Sequence, residues 1–299
     1  MGTRKRAITR RDFLRAGTCV TLGSLVGLPL AESTHADRTK KSRVVLVRDK
    51  HVLDGKDRIN PIPLGRMLDR AVTALLDASD PSSAWMRLVK PDDIVGIKTN
   101  VWPYLPTPEP LNALIRERLI AAGVKGGNVS ADDREVLRNP VFQRSTAFVN
   151  VRPMRTHHWS GLGTLIKNYI MFVSHPSRYH DNACGGLGAI WHLPHVKGKT
   201  RLNILVMITP LFHGMGPHHF SRAHTWPYCG LIVSKDPVAA DATGARIIQA
   251  KRDAFFGGEN PINPPPRHID AADTRFGLGT SRLERIDLIR LGWNEDILL

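Results

Sequence analysis

Short β-branched segments alternate with amphipathic segments from residue 43 onward, and this alternation constrains the fold more than any other feature of the sequence. Residues 43–47 and 94–97 are predicted strands, and apolar residues within 64–76 recur at helical spacing between them. Helices that regularly separate strands are typical of crossover connections in a parallel sheet. We therefore predict an α/β fold with a mostly parallel sheet flanked by helices.

The same alternation continues towards the carboxyl terminus. Residues 202–208 form the most apolar predicted strand, which we place near the centre of the sheet. Asp236 and Pro237 have the residue types expected at the N-cap and the first position of a helix. Further strands are predicted near residues 128–130, 147–151, 231–233 and 286–289, and further helices over 111–122, 162–173, 236–250 and 269–273. Between residues 157 and 224 lies an irregular segment rich in His, Gly and Pro, which we expect to form one wall of a cleft.

The first 36 residues have the pattern of a bacterial export signal. Arg10 and Arg11 form a twin-arginine pair, with Phe13 and Leu14 at the expected offsets. A weakly apolar stretch, residues 16–30, follows and is interrupted by Gly and Pro, so it is too short for a stable membrane span. The alternative is a basic, frayed helix on a cytosolic protein.

Small residues at positions 34 and 36 suit a signal peptidase, so we divide the chain there. Residues 1–36 are the predicted signal peptide, 37–42 a linker and 43–299 a single α/β domain. The twin-arginine translocase is then a partner during export, and the expected location is periplasmic or otherwise extracytoplasmic. No later segment has the apolar length of a membrane helix, so no stable span is expected after cleavage. Whether the signal is cleaved or retained as an anchor is open.

The charge favours an anionic partner. The whole chain carries a formal net charge of +15, and the signal contains six basic and two acidic residues, which leaves +11 on the remainder. Acidic small molecules, lipid headgroups or a cell-wall polymer suit such a surface. Nucleic acid is not expected, because Lys and Arg are not clustered and export removes the usual target.

Cysteine is sparse, which limits the possible cofactors. Cys19 lies in the predicted signal, so only Cys184 and Cys229 remain. These two residues either form one disulfide or remain two buried thiols. Two thiols cannot supply the four ligands of an ordinary iron–sulfur cluster, so such a cluster is not expected.

Histidine is concentrated in the irregular segment. Ten of the thirteen histidines lie between residues 157 and 224. Neutral imidazole is a common ligand for Zn, Cu, Fe and Ni, so this density predicts a transition-metal site formed by at least two of them. The predicted ligands are His157, His180, His213, His218 and His224. The alternative is a set of solvated or hydrogen-bonded histidines without a common centre, and the metal itself is not identified by the sequence.

Lysine–asparagine pairs occur at two element ends. Lys98 and Asn100 follow a predicted buried strand, and Lys167 and Asn168 lie in a predicted apolar helix. Ligands of α/β sheets usually bind beyond the carboxyl ends of strands, where a lysine charge and an amide can hold a carboxylate or phosphate. The alternative is that each lysine extends its amine into solvent.

Two aspartates occur at the start of the helix predicted over residues 236–250. Asp236 is most simply its N-cap, and Asp241 a solvated or cap-supporting carboxylate. A functional alternative uses this helix start as an anion site, or Asp241 as a metal ligand or proton carrier.

Taken in order, these motifs resemble the bacterial family known as domain of unknown function 362. In that family a Lys-x-Asn follows a strand, a basic residue and a His precede a Lys-Asn pair, and an Asp-Pro-Val-Ala-x-Asp run comes late. Here the matching residues are Lys98 and Asn100, then Arg155-Thr156-His157, Lys167-Asn168, Gly214-Met215-Gly216-Pro217 and residues 236–241. The resemblance extends over residues 43–291 and implies the fold, but no settled activity.

The sequence departs from the family pattern in three respects. Many members carry an appended cysteine-rich ferredoxin module that this sequence lacks, so an electron-carrier role is not transferred. The central apolar strand ends in Thr209 and Pro210 rather than an Asp, and His213 is a candidate to replace that ligand. Arg155 stands where Lys is common, which retains the charge but changes its geometry.

From these observations we expect an exported enzyme, with or without a transition metal, that acts on a small anionic substrate. Lys98 and Lys167 bind the anion in this interpretation, and Asn100 and Asn168 orient it. His157 serves as acid–base group or metal ligand, with Asp241 as its partner carboxylate. Lys98, His157, Lys167 and Asp241 should therefore converge at one edge of the sheet. The alternative is a non-catalytic periplasmic protein that binds a metal or ligand in the same cleft.

Overall fold

A computed structural model describes residues 41–214, 216 and 219–299, and all structural statements here refer to these residues. Residues 41–299 form one unit around a sheet of eight strands. The strands are β1 (Ser42–Arg48), β2 (Val95–Lys98), β3 (Val129–Asp132), β4 (Ala147–His157), β5 (Gly161–Gly163), β6 (Thr200–Leu211), β7 (Gly230–Ser234) and β8 (Ile286–Gly292).

The strand order is β3-β2-β4-β6-β7-β1-β8, and β5 pairs with the end of β4. Strands β3, β2, β4 and β6 run parallel to one another, as do β1 and β8. Strand β7 runs antiparallel to both of its neighbours, β6 and β1. The sheet is therefore mixed but mostly parallel, which confirms the predicted α/β fold. The carboxyl ends of β2, β4 and β6 meet at one edge, called the carboxyl edge below.

Helices cover both faces of the sheet. They are α1 (Pro61–Leu76), α2 (Pro81–Leu88), α3 (Glu109–Ala121), α4 (Pro140–Arg144), α5 (Leu165–Asn168), α6 (Asp181–Cys184), α7 (Pro237–Phe256) and α8 (Arg267–Thr274). Apolar residues of α1, α2 and α3 pack in one core against one face of the sheet. Apolar residues of α7 and α8 pack in a second core on the other face, together with the segment after β5. Among the described helices, none is long and apolar enough to cross a membrane.

Helix α7 begins where the sequence predicts. The Asp236 side chain accepts hydrogen bonds from the backbone N–H groups of Val238 and Ala239, both at 2.9 Å. Pro237 occupies the first turn, where a missing N–H removes no intrahelical bond. The helix ends at Gly257, whose φ of 72° is readily adopted only by glycine. Asp236 is therefore an N-cap, as expected.

Two predicted boundaries were wrong. The strand predicted over residues 147–151 continues as β4 to His157, because its later polar side chains are buried rather than solvated. The helix predicted over residues 162–173 is instead β5, then the short helix α5, then a 3-10 turn over Tyr169–Phe172. Thr164 has an extended backbone between β5 and α5, which separates the two elements.

Within the described residues, the histidine-rich region contains the four-residue helix α6 and short turns between α5 and β6, and one short turn between β6 and β7. Short 3-10 turns cover Pro176–Tyr179 and Leu187–His192 before β6, and Arg222–His224 after it. This agrees with the predicted irregular insertion.

Candidate active site

Four basic side chains are buried near the carboxyl edge of the sheet. Lys98 ends β2, Arg152 and Arg155 lie on β4, and Lys167 lies on α5. Each is at most 3% exposed, although such residues are almost never buried without a partner. We call these four residues the cationic cluster.

Lys98 is the member of the cluster with a full ionic partner. Its Nζ forms an ion pair with the Asp133 carboxylate and donates to the Thr99 carbonyl at 2.8 Å. The other Asp133 oxygen accepts from the Val101 backbone N–H at 2.9 Å. Burial favours the neutral carboxyl, but the Lys98 charge and these hydrogen bonds hold the pKa of Asp133 below its ordinary value. Asp133 therefore pairs with Lys98 and also acts on the charges of Arg152 and Arg155, so one carboxylate faces three cations.

Arg152 and Arg155 are held by amides rather than carboxylates. Arg152 Nη1 donates to Asn168 Oδ1 at 3.4 Å, and Arg155 Nη1 donates to Asn100 Oδ1 at 2.9 Å. The Arg155 guanidinium also lies over the Trp102 ring, 4.5 Å from its centroid. Burial lowers the pKa of Arg152 to about 10, so its guanidinium remains charged at neutral pH.

Three buried polar atoms beside these contacts have no hydrogen-bond partner within the described part of the chain. They are Arg152 Nε, Arg155 Nε and Thr156 Oγ1. Leaving a buried donor unpaired costs about 1–3 kcal/mol, so native proteins rarely do so without a reason. Two guanidinium N–H groups and a hydroxyl are the donors that an oxyanion requires.

A glycine on β5 lets both arginines occupy the same side of β4. The pairing of β4 with β6 shifts register between Pro153 and Arg155, which interrupts the regular alternation of side chains. A Cβ atom placed on Gly163 would lie 2.9 Å from Arg152 Nη2 and 3.3 Å from Arg155 Cγ. Both guanidinium-bearing side chains therefore pack directly over the backbone of β5.

Lys167 has the properties of a proton-transfer group. It is 3% exposed, and its Nζ lies 3.4 Å from Cys184 Sγ. Burial lowers the pKa of Lys167 to about 8, and the charges of Arg152 and Arg155 act in the same direction. Both its protonated and its neutral form are therefore accessible near neutral pH, as acid–base catalysis requires.

Cys184 lies in an unusual backbone conformation. Asn182, Ala183 and Cys184 have positive φ angles of 50°, 51° and 63°, which non-glycine residues seldom adopt. Burial raises the pKa of the Cys184 thiol despite the nearby Lys167 charge, so the thiol is protonated at neutral pH. Cys184 and Cys229 are both free and buried, which selects the two-thiol alternative over a disulfide.

His157 is buried among the cations at the end of β4. Burial, followed by the charges of Lys167 and Arg152, lowers the pKa of His157 far below its ordinary value. Its ring is therefore neutral at physiological pH and can accept a proton or hydrogen bond but not supply a charge. Its Nδ1 accepts a hydrogen bond from the Trp159 backbone N–H at 3.3 Å.

Asp241 positions the helix that carries Lys167. Its two carboxylate oxygens accept the backbone N–H groups of Leu165 and Ile166, each at 2.9 Å. Burial raises the pKa of Asp241 to about 7, while these bonds and the Arg152 charge oppose the rise. Asp241 thus fixes the start of α5 and lies within electrostatic reach of the cluster.

The side-chain amides of Asn100 and Asn168 form hydrogen bonds to other residues of the chain. Asn168 Nδ2 lies within hydrogen-bonding distance of Asn150 Oδ1 at 2.8 Å and of the Lys98 carbonyl at 3.1 Å. This amide therefore joins α5 to β4 and β2. Asn100 accepts from Arg155, as described above, so both amides orient cluster residues in the structure.

The predicted site residues are thus arranged in a connected group. Asn168 donates to the Lys98 carbonyl and accepts from the Arg152 guanidinium. Asp241 accepts from the start of the helix that carries Lys167, and the Lys167 charge lowers the pKa of His157. Their catalytic roles stay predictions.

The predicted histidine ligands fall into two groups. His157 stacks on His158 with ring centroids 5.0 Å apart, and His180 stacks on Trp159 at 3.8 Å. His213 and His224 form a separate pair at 4.6 Å. His218 lies outside the described residues.

The described residues show no group of three or more His, Cys, Asp or Glu arranged to hold a metal ion. The cations around His157 also disfavour a metal cation there, since like charges repel. The other pair also faces a cation, because Arg252 Nη1 lies 3.1 Å from His213 Nδ1. Metal binding therefore stays a prediction.

Sequence reasoning missed several residues of the site. Arg152, Thr156 and Asp133 were not candidates, although Arg152 provides one of the unpartnered donors. The available signal was the run of polar residues directly after the predicted end of β4 at residue 151. Cys184 was considered only as a disulfide partner or buried thiol, because its contact with Lys167 depends on the fold between them.

Sequence comparison gives one family match. Residues 127–246 match the model of a family described as a domain of unknown function, DUF362. The match covers 120 of the 299 residues, so this middle segment is similar to the DUF362 family. The matched DUF362 segment contains Arg152, Arg155, Lys167 and Asp241, whereas Lys98 precedes it. Neither a curated protein nor a solved structure matches the chain significantly.

Proposed function

We propose that this protein is an exported enzyme that binds a small oxyanion-bearing substrate at the cationic cluster. The observation that carries the proposal is the excess of buried positive charge around unpartnered donors. Two carboxylates face these four buried cations: Asp133 is paired with Lys98 and also acts on Arg152 and Arg155, and Asp241 has a pKa of about 7, which leaves it partly protonated. An anionic substrate would offset the cost of burying these charges.

The chemistry of the substrate follows from the donors. Arg152 and Arg155 can each offer an Nε–H group to a carboxylate or phosphate oxygen, and a guanidinium binds such groups with two parallel bonds. Thr156, the residue after Arg155 on β4, has a buried hydroxyl that is also unpartnered among the described residues. These three residues would bind and orient the anionic group, with Lys98 retained by Asp133 as part of the frame.

Lys167 is the proposed acid–base residue. Its pKa of about 8 allows it to deliver or accept a proton at the reacting part of the substrate. Neutral His157 would accept a hydrogen bond beside it, and Asp241 would act as a positioning residue through α5. Cys184 contacts Lys167 and would help to set its orientation.

Export and location belong to the same proposal. The twin-arginine pattern in residues 1–36 supports transport by the twin-arginine translocase and a periplasmic location, and these residues lie outside the described part.

A resident transition metal remains a proposal that metal analysis of the purified protein, prepared without a histidine tag, would test. Its presence at about one equivalent, lost in His213→Ala and His224→Ala, would support it.

Thermal stabilisation by anions tests the binding step. The melting temperature would be measured in sulfate, phosphate, acetate and citrate, against chloride at equal ionic strength. At least one oxyanion should raise it in the native chain and fail to do so in Arg155→Met. Arg252→Met is the matched control, because Arg252 is also buried but donates to carbonyls of Asn260 and Phe212. Equal stabilisation of all three proteins would reject the anion site.

The runner-up is a non-catalytic ligand-binding protein that uses the same cluster. The two functions are separated by Lys167→Arg, which keeps the positive charge but shifts proton transfer out of the neutral range. An enzyme should retain anion binding and lose turnover of the substrate class identified by stabilisation. A binding protein should show no turnover in either form.

A further inference from the structure

A second basic site lies at the opposite edge of the sheet from the cationic cluster. A cavity of about 430 Å³ is formed where α2 ends, β6 begins and β7 ends. Because β7 runs antiparallel to β6, Lys235 after β7 and Thr200 at the start of β6 come together at this edge. We call this space the amino-edge cavity. Its size falls within the range of small-molecule sites.

Positive charge dominates the lining of the amino-edge cavity. Its charged residues are Arg87, Lys90, Arg201, Lys235 and Asp93. Among the described residues, no carboxylate lies within ion-pair distance of any of the four basic side chains. Four like charges around one concave surface repel one another, and the walls focus their field on the enclosed space.

The single acidic residue in the cavity lining, Asp93, already accepts two hydrogen bonds from the protein. Asp93 accepts hydrogen bonds from the Thr146 hydroxyl at 2.5 Å and from the Lys90 backbone N–H at 2.7 Å. It is 8% exposed, and its negative charge reduces the formal charge of the lining from +4 to +3. Its role is to fix the turn between α2 and β2.

The walls of the cavity are preformed. Arg87 Nη1 donates to the carbonyls of Leu76 and Asp77, which holds this guanidinium at the end of α1. The Lys235 carbonyl accepts from Asn203 Nδ2 at 3.2 Å, and Asn203 Oδ1 accepts in turn from Asn150 at 3.1 Å. Both asparagines are fully buried, so the backbone beneath Lys235 is fixed by a rigid polar chain.

We propose that the amino-edge cavity binds a multivalent small oxyanion, such as a phosphate ester or a polycarboxylate. A single negative charge would leave most of the four positive charges unbalanced, whereas two or more would offset them. Lysine and arginine together supply both point charges and planar donors for such groups. This site is distinct from the proposed catalytic site and does not depend on it.

Calorimetric titration with pyrophosphate and with citrate tests the proposal. Titrating full-length Arg155→Met removes the contribution of the cationic cluster. We expect one binding site to persist there and to weaken at least tenfold when Arg201→Ala and Lys235→Ala are added. Lys235 is exposed and Arg201 partly so, and these changes should leave the fold intact, which circular dichroism would verify.

The control carries the same loss of charge elsewhere. Lys50→Ala with Lys125→Ala removes two exposed lysines that do not line the cavity and should leave affinity within twofold. Equal weakening by both pairs would show a general charge effect and overturn the site. Pyrophosphate binding abolished by Arg155→Met alone would assign the anion to the cationic cluster, which overturns the amino-edge site but supports the proposed function. Absence of binding to the native chain would also overturn it.

Discussion

At the scale of single residues, the titration of Lys167 should control anion binding. Its pKa of about 8 lies below the ordinary lysine value because the amine is buried. As pH rises through this value the amine loses its charge, so anion affinity should fall. Between pH 7 and 9 we expect a decrease of roughly tenfold, equivalent to about 1.4 kcal/mol. A bound anion favours the charged amine, so the step should lie slightly above pH 8.

Two variants test whether Lys167 causes this pH dependence of anion affinity. Lys167→Arg stays charged throughout this interval and should bind with little pH dependence. Lys167→Met should bind weakly at every pH. Affinity would be measured by calorimetry with the best stabilising anion. A pH step that survives in Lys167→Arg would assign the titration to another group.

Gly163 should be essential to the cluster for steric reasons. A Cβ at this position would lie 2.9 Å from Arg152 Nη2, and the buried guanidinium has little room to move. Gly163→Ala should therefore displace Arg152 and weaken anion binding by roughly tenfold or more, a loss of about 1.4 kcal/mol. Gly258→Ala is the control, because a Cβ atom placed on Gly258 would have no other atom within 4 Å. Unchanged anion affinity in Gly163→Ala would contradict the described packing.

The sequence alone identified those site residues whose neighbours along the chain already indicate a buried strand or an apolar segment. Lys98 follows a short buried strand, and Lys167 stands in an apolar segment, so both are conspicuous. Arg152 is different, because a basic residue after an apparent strand end normally indicates solvent. Its burial depends on β5 folding back over β4, a contact that no local pattern encodes.

At the scale of secondary-structure elements, Asp236 joins three parts of the fold. Besides capping α7, its carboxylate accepts from the Ser42 hydroxyl at 2.6 Å and from the Thr280 backbone N–H at 2.9 Å. It therefore holds the start of β1 and the segment before β8 at the start of α7. A carboxylate with these contacts contributes more to the free energy of unfolding than a residue that only caps a helix.

We expect Asp236→Ala to lower the free energy of unfolding by about 2–4 kcal/mol, since it removes a cap and two tertiary hydrogen bonds. Asp80→Ala is the matched control, because Asp80 caps the exposed start of α2 through the Ser83 N–H and otherwise accepts from its neighbour Ser79, without a hydrogen bond to another element in the described part of the chain. Its loss should be clearly smaller. Urea unfolding of the three proteins would measure both effects. Equal losses would mean that the tertiary contacts of Asp236 contribute nothing.

The helices and strands were predictable from the sequence where a segment is strongly apolar or where a capping residue stands next to it in the chain. Helix α7 has Asp236 and Pro237 at its start, and β6 is strongly apolar, so both were located. Strand β4 was predicted too short, because Arg152 and Arg155 are hydrophilic by residue type but buried by the fold. The antiparallel direction of β7 depends on strand pairing and has no counterpart in local periodicity.

At the scale of the whole molecule, the twin-arginine pattern predicts the route of export. Replacing Arg10 and Arg11 by Lys should block transport, because the translocase recognises the arginine pair. The measurement is the periplasmic fraction of the protein after cell fractionation. A single substitution of Arg15→Lys, outside the pair, is the control and should export normally. Undiminished export of the double variant would contradict the prediction.

Strand β1 has a consequence for the order of events during synthesis. It lies inside the sheet, paired on one side with β7 and on the other with β8, which ends at Gly292. Strand β1 therefore gains its first neighbour only after residue 234 has been made and its second only after residue 292. The sheet cannot be completed while these later strands are still being synthesised. A secretion route that accepts finished proteins suits such a chain better than one that threads it during translation.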